Sequence, residues 1–295
     1  MGQVWVVGEA LIDLVPMPSG VVEAIVGGGP ANTAKALAGL GLETSFVGGI
    51  SSDEFGALIK EELRESGVDL SLVKFSNLPT ATAKVLLDSV GKANYEFKLD
   101  GSATFAFSRD WLPAGEPEVI HIGTLATIVE PGASELLEWI QGLSAPIVFD
   151  PNVRVSVLSD VGRYRELVER WMKISSVVKV SEEDIALLYG DLDFISVARE
   201  WISNGVELVV ITRGVNGLVG ITSESVVEVA GVPVGVVDTI GAGDTVGAIV
   251  VEAIIEQGLA DLESERLTLV LERAAKAAAI TCSRSGAKPP SRDEL

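Results

Sequence analysis

The eleven residues DTIGAGDTVGA, at positions 238–248, combine three glycines with two aspartates. The apolar segment TVGAIVVEAIIEQG (245–258) follows and predicts a long helix that is buried on nearly all sides. The apolar run VPVGVV (232–237) before it predicts a strand, so residues 241–243 are expected at a strand-to-helix junction. Unpaired N–H groups and the helix dipole at such a junction attract phosphate, and small residues let it approach the backbone.

Asp244 stands at the start of this predicted helix, where its charge would repel a permanently bound diphosphate. A P-loop would need Lys-Ser or Lys-Thr after the last glycine, and the spacing Gly241-x-Gly243-x-x-x-Gly247 departs from a dinucleotide fingerprint. A carboxylate does suit an alcohol that must lose its proton while a phosphoryl group arrives. Two alternatives stay open from these residues: a tight turn capped by Asp244, and a dinucleotide-binding oxidoreductase.

Two stretches near the N-terminus could hold a polyol. In VGGGPANTAKALAGLG (26–41), glycines precede a proline and an apolar helix, and Asn32 falls on the first helical turn. In GEALIDLVP (8–16), Asp13 lies among apolar residues, where a carboxylate needs hydrogen-bond partners such as sugar hydroxyls. The plainer interpretations are a glycine turn that starts a helix, and a carboxylate that pairs with a backbone N–H or faces solvent.

The stretch FDPNVR (149–154) follows the end of a predicted strand, at the edge where open parallel sheets bind ligands. Arg154 offers a planar fork of N–H donors that suits a phosphate or a carboxylate. An ordinary loop with a surface arginine is the alternative interpretation of the same residues.

Short apolar runs alternate with helical patterns along most of the chain, and they predict strands at 3–8, 44–50, 118–123, 145–150, 176–181 and 207–212. Helices are expected at 52–66, with Phe55, Ile59 and Leu63 on one face, and at 160–174, where Asp160 suits the N-cap. This alternation predicts an α/β fold of three layers, a mainly parallel sheet with helices on both faces, in a single domain spanning 1–295.

Two segments, about 9–26 and 80–99, depart from this alternation of strands and helices, because their sequences predict extended strands with no helix between them. A VGKAN turn (90–94) divides the second segment. We expect both segments to form a small antiparallel sheet that serves as a lid, with an ordinary edge hairpin as the alternative.

Composition excludes several classes of function. The formal net charge of −20 over 295 residues disfavours nucleic acid and anionic membranes as partners. The single cysteine, Cys282, precludes an intramolecular disulfide, and the single histidine, His121, precludes a histidine-rich metal site. The start MGQVWVVGEALIDLV lacks a basic leader, and no apolar run reaches the roughly 20 residues of a membrane helix. We therefore expect a cytoplasmic protein.

Taken together, these stretches resemble the ribokinase/fructokinase (PfkB) family of carbohydrate kinases over nearly the whole chain. GGGPANTAKALAGLG is similar to the family's N-terminal signature, and DTIGAGDTVGA to its highly specific C-terminal signature. GEALIDL, NYEFKLDGSA, FDPNVR and KVSEEDIALLYG resemble the fructokinase and 2-keto-3-deoxygluconate kinase branch more than ribokinase. The resemblance implies a ribokinase-like fold with a β-sheet lid and transfer of the γ-phosphoryl group of ATP to a sugar hydroxyl, with Mg²⁺.

The resemblance also assigns roles to residues. It gives the catalytic base to Asp244 and the anion hole to Gly241, Ala242 and Gly243. Sugar-binding positions are Asp13, Gly28 and Asn32, and Arg154 matches an arginine near the sugar or the transferring phosphate. ITRGVNGL (211–218) resembles the nucleotide-binding strand and turn, so Thr212, Gly214 and Gly217 are expected at the ATP site, and Ser181, from the stretch KVSEEDIALLYG, is expected there too.

Two departures from the family pattern concern metal ions. Many members carry Asn-x-x-Glu near Mg²⁺ and the phosphates, where this chain has Ser181 and Asp184, so Asp184 is the expected residue of the Mg²⁺ region. Asp238 fits a monovalent-cation site whose other wall would be CSRSGAKPP (282–290), but Pro290 stands where ribokinase has a hydroxyl residue. K⁺ activation is therefore one open interpretation.

The residues leave the substrate open within the kinase interpretation. Arg154 is the only basic residue that the sequence gives reason to place in the acceptor site, which favours a neutral sugar over a phosphosugar. The resemblance to the fructokinase branch makes fructose the expected sugar. A 2-keto-3-deoxygluconate kinase or a ribokinase is the alternative, since Arg154 could equally hold a sugar-acid carboxylate. A non-catalytic sugar sensor on the same fold is a further hypothesis, and an intact Asp244 with its anion hole weighs against it. By fold analogy, the lid could pair with another subunit's lid in a homodimer.

Overall fold

The structure is a computed structural model that describes residues 3–17, 20–87 and 93–295. Its strands are β1 (Val4–Val7), β2 (Leu11–Pro16), β3 (Val22–Gly27), β4 (Thr44–Val47), β5 (Gly49–Ser51), β6 (Lys74–Ser76), β7 (Thr82–Leu87), β8 (Ala93–Lys98), β9 (Val119–Gly123), β10 (Ile147–Asp150), β11 (Val177–Ser181), β12 (Leu208–Thr212), β13 (Leu218–Ile221) and β14 (Val226–Val229). Its helices are α1 (Gly29–Gly39), α2 (Glu54–Glu65), α3 (Gly132–Ile140), α4 (Val161–Met172), α5 (Glu182–Tyr189), α6 (Phe194–Ser203), α7 (Ala242–Gln257) and α8 (Ser264–Cys282).

The main sheet has eight strands in the order β14-β13-β12-β11-β10-β9-β1-β4. All pairs from β4 to β12 are parallel, and β13 and β14 add an antiparallel edge. The six predicted strands are all present. The run 44–50 is divided, however, because β4 joins the main sheet while β5 pairs with β6 in a separate two-stranded sheet.

Helices cover both faces of this sheet, which confirms the three-layer prediction. Side chains alternate along β1, so that Val4 and Val6 enter one apolar core while Trp5 and Val7 enter the other. Helices α1, α2, α7 and α8 contribute to the first core, and α3, α4, α5 and α6 to the second. The carboxyl ends of β9, β10, β11 and β12 are thereby held at one edge, beside the starts of α1 and α7.

The two amphipathic helices form as predicted, α2 from Asp53 as N-cap and α4 from Asp160, whose side chain accepts the N–H of Arg163. The spacing in 160–174 also predicts Val161 on one buried face with Tyr164 and Leu167, and this detail is wrong, since Val161 is 37 % exposed. Val161 is the first residue of α4, and the residues on either side of it are exposed as well.

The strand predicted at VPVGVV (232–237) is wrong, since these residues form an irregular segment with mostly exposed side chains. Val237 and Asp238 donate their N–H groups to the carbonyl of Cys282 instead of to a neighbouring strand. Pro233 has no N–H to donate, which disfavours a regular ladder there. The glycine turn therefore follows a loop rather than a strand. Gly241 caps α7, and Ala242 and Gly243 are the first two residues of that helix.

The extended segments form a four-stranded sheet in the order β3-β2-β7-β8, which we call the small sheet. The β2–β3 and β7–β8 pairs are antiparallel, as expected, but β2 pairs with β7 in parallel, so a purely antiparallel sheet was the wrong prediction. A long connection separates β2 from β7, and parallel neighbours require such a crossover rather than a hairpin. The predicted VGKAN turn (90–94) lies partly outside the described residues, and the lid role stays a prediction.

His121 of β9 is fully buried and faces α7, where a Cβ on Gly247 would lie 3.4 Å from its Nε2. Within the described part of the chain, neither ring nitrogen has a hydrogen-bond partner. Burial and, to a smaller extent, the nearby Lys179 charge lower its pKa to about 3. The folded protein therefore holds this imidazole neutral.

This burial predicts a loss of stability in acid. The unfolded chain binds a proton at His121 below its usual pKa of 6.5, whereas the folded chain does not until about pH 3, so stability falls as the pH drops through that window. Between pH 6.5 and 5 the expected loss is about 2 kcal/mol. Urea unfolding of the wild-type protein and of the His121→Met variant at both pH values measures this contribution as the difference between their two pH-dependent changes, because buried carboxyl groups with raised pKa values act equally in both proteins. An equal loss in the variant would contradict the assignment.

Candidate active site

The start of α7 is a buried, glycine-flanked helix end. Gly241 is its N-cap in the left-handed conformation, with φ 81°, and Thr245 donates its N–H back to the Gly241 carbonyl. Asp244 lies on the first turn and is only 8 % exposed. The backbone N–H groups of a first helical turn lack partners within the helix, so this end can hold an anion.

Asp244 contacts the other signature directly. Asn32 of α1 donates from Nδ2 to Asp244 Oδ2 at 3.0 Å, across 212 positions of the chain. Burial raises the pKa of Asp244 to about 6, while Lys179 and this hydrogen bond oppose the rise and Asp150 adds to it. Near neutral pH the side chain is therefore mainly a carboxylate whose basicity exceeds that of an exposed aspartate, as a general base requires.

The residues predicted to hold a sugar converge beside this carboxylate. Asp13 of β2 lies over Gly27, where a Cβ would approach its Oδ2 to 2.2 Å. Burial raises the pKa of Asp13 to about 6, and the positive charge of Arg154 partly offsets that rise. Gly28 is the N-cap of α1, and a Cβ there would meet the Glu9 carbonyl at 2.6 Å. The structure thus brings these predicted residues together.

Arg154 is exposed, and its Nη1 donates to the carbonyls of Asn152 and Val153. Its positive charge opposes the rise in the pKa of both Asp13 and Asp244, so the guanidinium lies near both carboxyl groups. The other guanidinium donors can serve an oxygen-rich ligand.

Two residues at this edge were not predicted from the sequence. Thr124 follows β9 and Asn152 follows β10, and both adopt positive φ, 56° and 37°. Asn152 donates from Nδ2 to Thr124 Oγ1 at 3.3 Å, and a Cβ on Gly29 would contact both side chains and Asp244 Oδ1. Strained residues that are not glycine cluster at functional sites, and only the asparagine carried a weak sequence signal for this conformation.

Glu9 supports the same edge and was also missed. It is fully buried, and its two oxygens accept the N–H groups of Leu125 and Ala126, at 3.3 and 3.0 Å. Burial raises its pKa to about 7, against the opposing effect of these hydrogen bonds. A glutamate directly after an apolar strand was the available signal. The carboxyl fixes the short turn that carries Thr124.

The predicted nucleotide residues lie along the neighbouring strands. Thr212 ends β12, and Gly214 and Gly217 bound the turn before β13. A Cβ on Gly217 would lie 2.0 Å from the Val229 carbonyl, so this turn needs glycine there. The turn and the loop before α7 carry exposed apolar side chains that the sequence had not marked as ligand contacts. They are Val215, Val232, Val234, Val236, Val237 and Ile240.

Ser181 and Asp184 form a capping box at the start of α5. Ser181 Oγ accepts the Asp184 N–H, and Asp184 Oδ2 accepts the Ser181 N–H. Asp184 Oδ1 accepts the N–H of Val153 at 2.8 Å. Both carboxylate oxygens thus serve backbone donors, and the proximity of Asp184 to Mg²⁺ stays a prediction.

Asp238 links the C-terminal signature to the segment 282–290. Its Oδ1 accepts the N–H of Ile240 and its Oδ2 accepts the N–H of Gly286, at 3.0 and 2.9 Å. These bonds place the two predicted walls of a cation site side by side. Among the described residues, no group of three or more His, Cys, Asp or Glu side chains could hold a metal ion.

Comparisons with known proteins all point to carbohydrate kinases. A family model described as pfkB family carbohydrate kinase matches residues 1–294. A fructokinase of Klebsiella pneumoniae is 30% identical over 301 residues, covering 100% of this chain and 98% of its own. A fructokinase of Rhizobium leguminosarum bv. trifolii is 36% identical over 251 residues, covering 82% and 76%. The structure of a Vibrio cholerae O395 fructokinase with fructose, ADP and calcium is 28% identical, with a TM-score of 0.85 over 97% of this chain and 94% of that one.

In the described part of the chain, every helix is too short or too polar to cross a bilayer.

Proposed function

Since the chain belongs to the pfkB family of carbohydrate kinases, we propose that it is a fructokinase that transfers the γ-phosphoryl group of ATP to a hydroxyl of fructose. The observation that carries the proposal is the buried Asp244 carboxylate on the first turn of α7, beside the glycine turn and within hydrogen-bond distance of Asn32. A dinucleotide-binding oxidoreductase has no support from this family. A sensor without turnover would need neither the base nor the anion-binding helix end.

On the acceptor side, Asp244 takes the proton of the attacking hydroxyl, and the helix end formed by Gly241, Ala242 and Gly243 stabilises the transferring phosphoryl group. Asp13 and the backbone at Gly28 bind the sugar hydroxyls. The Asn32 amide orients Asp244 through its Nδ2 and leaves Oδ1 for a sugar hydroxyl, since that oxygen has no partner within the described residues. In this arrangement, Asp244 serves proton transfer, while Asp13, the backbone at Gly28 and Asn32 Oδ1 serve sugar binding.

On the donor side, we assign the nucleotide to the ends of β11 and β12 and the turn before β13, with Ser181, Thr212, Gly214 and Gly217 as contacts. The exposed valines around this turn suit the flat apolar face of a base; Val215 is 89 % exposed. Mg²⁺ would arrive on the ATP phosphates, because it keeps several waters and needs few protein ligands, with Asp184 close to it. Asp238 would steady a K⁺ ion together with backbone carbonyls of 282–290.

An ADP-release assay with fructose, ribose, 2-keto-3-deoxygluconate and adenosine tests the proposal. We expect the highest kcat/KM with fructose, complete loss with EDTA, and stimulation when K⁺ replaces Na⁺. A preference for 2-keto-3-deoxygluconate would reassign the substrate to a sugar acid, and the exposed Arg154 guanidinium is the feature that favours this alternative. Sugar binding without ADP release from any acceptor would overturn the kinase assignment.

A further inference from the structure

A buried ammonium group lies beneath the start of α7. Lys179 points from β11 between the sheet and this helix, and its Nζ donates to Asp150 Oδ2 of β10 at 2.8 Å. The two side chains are 5 % and 2 % exposed. An ion pair this deeply buried is a costly way to stabilise a fold, since apolar side chains of similar size are often as stable or more so. Stability alone therefore does not explain why the chain buries this ion pair.

The lysine reaches the glycine turn itself. A Cβ on Gly243 would lie 2.7 Å from Lys179 Nζ and 3.6 Å from its Cε. Gly243 already belongs to α7, so its backbone is helical and could accept alanine. The absence of a side chain at Gly243 therefore makes room for the ammonium group, which sits against the backbone of the predicted anion hole.

Lys179 is surrounded by carboxylates. Burial tends to lower its pKa, but Asp150, Asp244 and Asp184 outweigh this effect and raise it, so the amine stays protonated. Four groups from neighbouring elements act on the pKa of Asp244. The positive charges of Lys179, on β11, and Arg154, in the loop after β10, lower it, and so does the hydrogen bond from Asn32 of α1. The negative charge of Asp150, on β10, raises it. A second oxygen of Asp150, Oδ1, is buried without a partner among the described residues.

We propose that Lys179 is a positioning residue for phosphoryl transfer: its ammonium group, oriented by Asp150 and seated against Gly243, keeps Asp244 deprotonated and adds positive charge beneath the anion hole. This inference rests on the proposed kinase function. Because Lys179 acts through Asp244 and the helix backbone, it does not itself touch the sugar. The positive charge offsets the repulsion that three neighbouring carboxylates would otherwise exert on one another and on the arriving phosphoryl group.

The test compares variants whose effects have opposite sign. In Lys179→Met, Asp244 loses its cation, so its pKa and the acid limb of the kcat/KM profile should move up by about one unit or more. In Asp150→Asn, Asp244 loses a repelling charge, so both should move down. Lys179→Arg retains the charge and should keep the acid limb near its wild-type position, even where crowding at Gly243 lowers kcat.

The pKa of Asp244 is read directly from a ¹³C-carboxyl NMR titration, with the resonance assigned by its loss in Asp244→Asn. An unchanged pKa in Lys179→Met, or a rise in Asp150→Asn, overturns the proposal. Should Lys179→Met fail to fold, Lys179→Gln, which also removes the charge, takes its place with the same expected rise in the Asp244 pKa. The titration needs no turnover, so a wild-type protein that phosphorylates no sugar would refute the proposed function without affecting this result.

Discussion

Replacing Asp244 with asparagine should lower kcat for fructose phosphorylation by about 10²–10⁴-fold, the usual contribution of a positioned general base. The amide is nearly isosteric with the carboxylate, so the variant should keep its fold, yet it cannot take the proton of the attacking hydroxyl. The affinity for ATP should be retained, because the nucleotide contacts that we assign lie at the ends of β11 and β12 and in the turn before β13. Steady-state kinetics and calorimetric titration with ATP measure the two quantities separately.

Asp13→Asn is the matched control, since Asp13 is a half-buried carboxyl group at the same edge whose pKa is likewise raised to about 6. We assign it to sugar binding, so its replacement should raise the KM for fructose more than it lowers kcat. If Asp244→Asn changed only KM, or if both variants lost kcat equally, the assignment of the base to Asp244 would be wrong.

Much of the main sheet follows from local sequence patterns. Buried parallel strands read as continuous apolar runs, so β1, β9, β10, β11 and β12 were recognisable without knowledge of their partners. The small sheet was harder, because the parallel β2–β7 pair joins segments far apart in the chain and no local signal encodes it. At 232–237 the apolar pattern predicted a strand that does not form, because the valines of this run are exposed rather than buried in a sheet.

The candidate site was predictable where it consists of contiguous signatures and unpredictable where it depends on packing. Asp244 and Asn32 could each be selected from their own stretch, but their 3.0 Å contact depends on how α1 meets α7. Lys179 interrupts an apolar strand, a signal that identifies it as unusual without identifying Asp150 as its partner. The positive φ of Thr124 has no sequence signal at all, because this conformation disfavours branched side chains.

Alanine at Gly241 should lower kcat by about 10²–10³-fold, comparable to the loss of an oxyanion-hole donor, because the turn that presents the helix end must shift. Gly241 has φ 81°, and a Cβ on it would lie 2.7 Å from the Cβ of Ala287. The left-handed conformation alone costs a residue with a side chain about 1–2 kcal/mol. Contact with Ala287 forces a further displacement of either the turn or the segment 282–290.

Gly41→Ala separates these two effects, because Gly41 follows α1 with a similar φ of 83° in a turn closed by the Leu42 N–H and the Leu37 carbonyl, and a Cβ on it would meet no atom within 4 Å. Both variants should lose similar stability from the backbone conformation, and only Gly241→Ala should also lose turnover. Thermal unfolding and steady-state kinetics on the pair give the comparison. Equal losses of kcat in both variants would mean that general destabilisation, and not displacement of the anion-binding turn, accounts for the effect at Gly241.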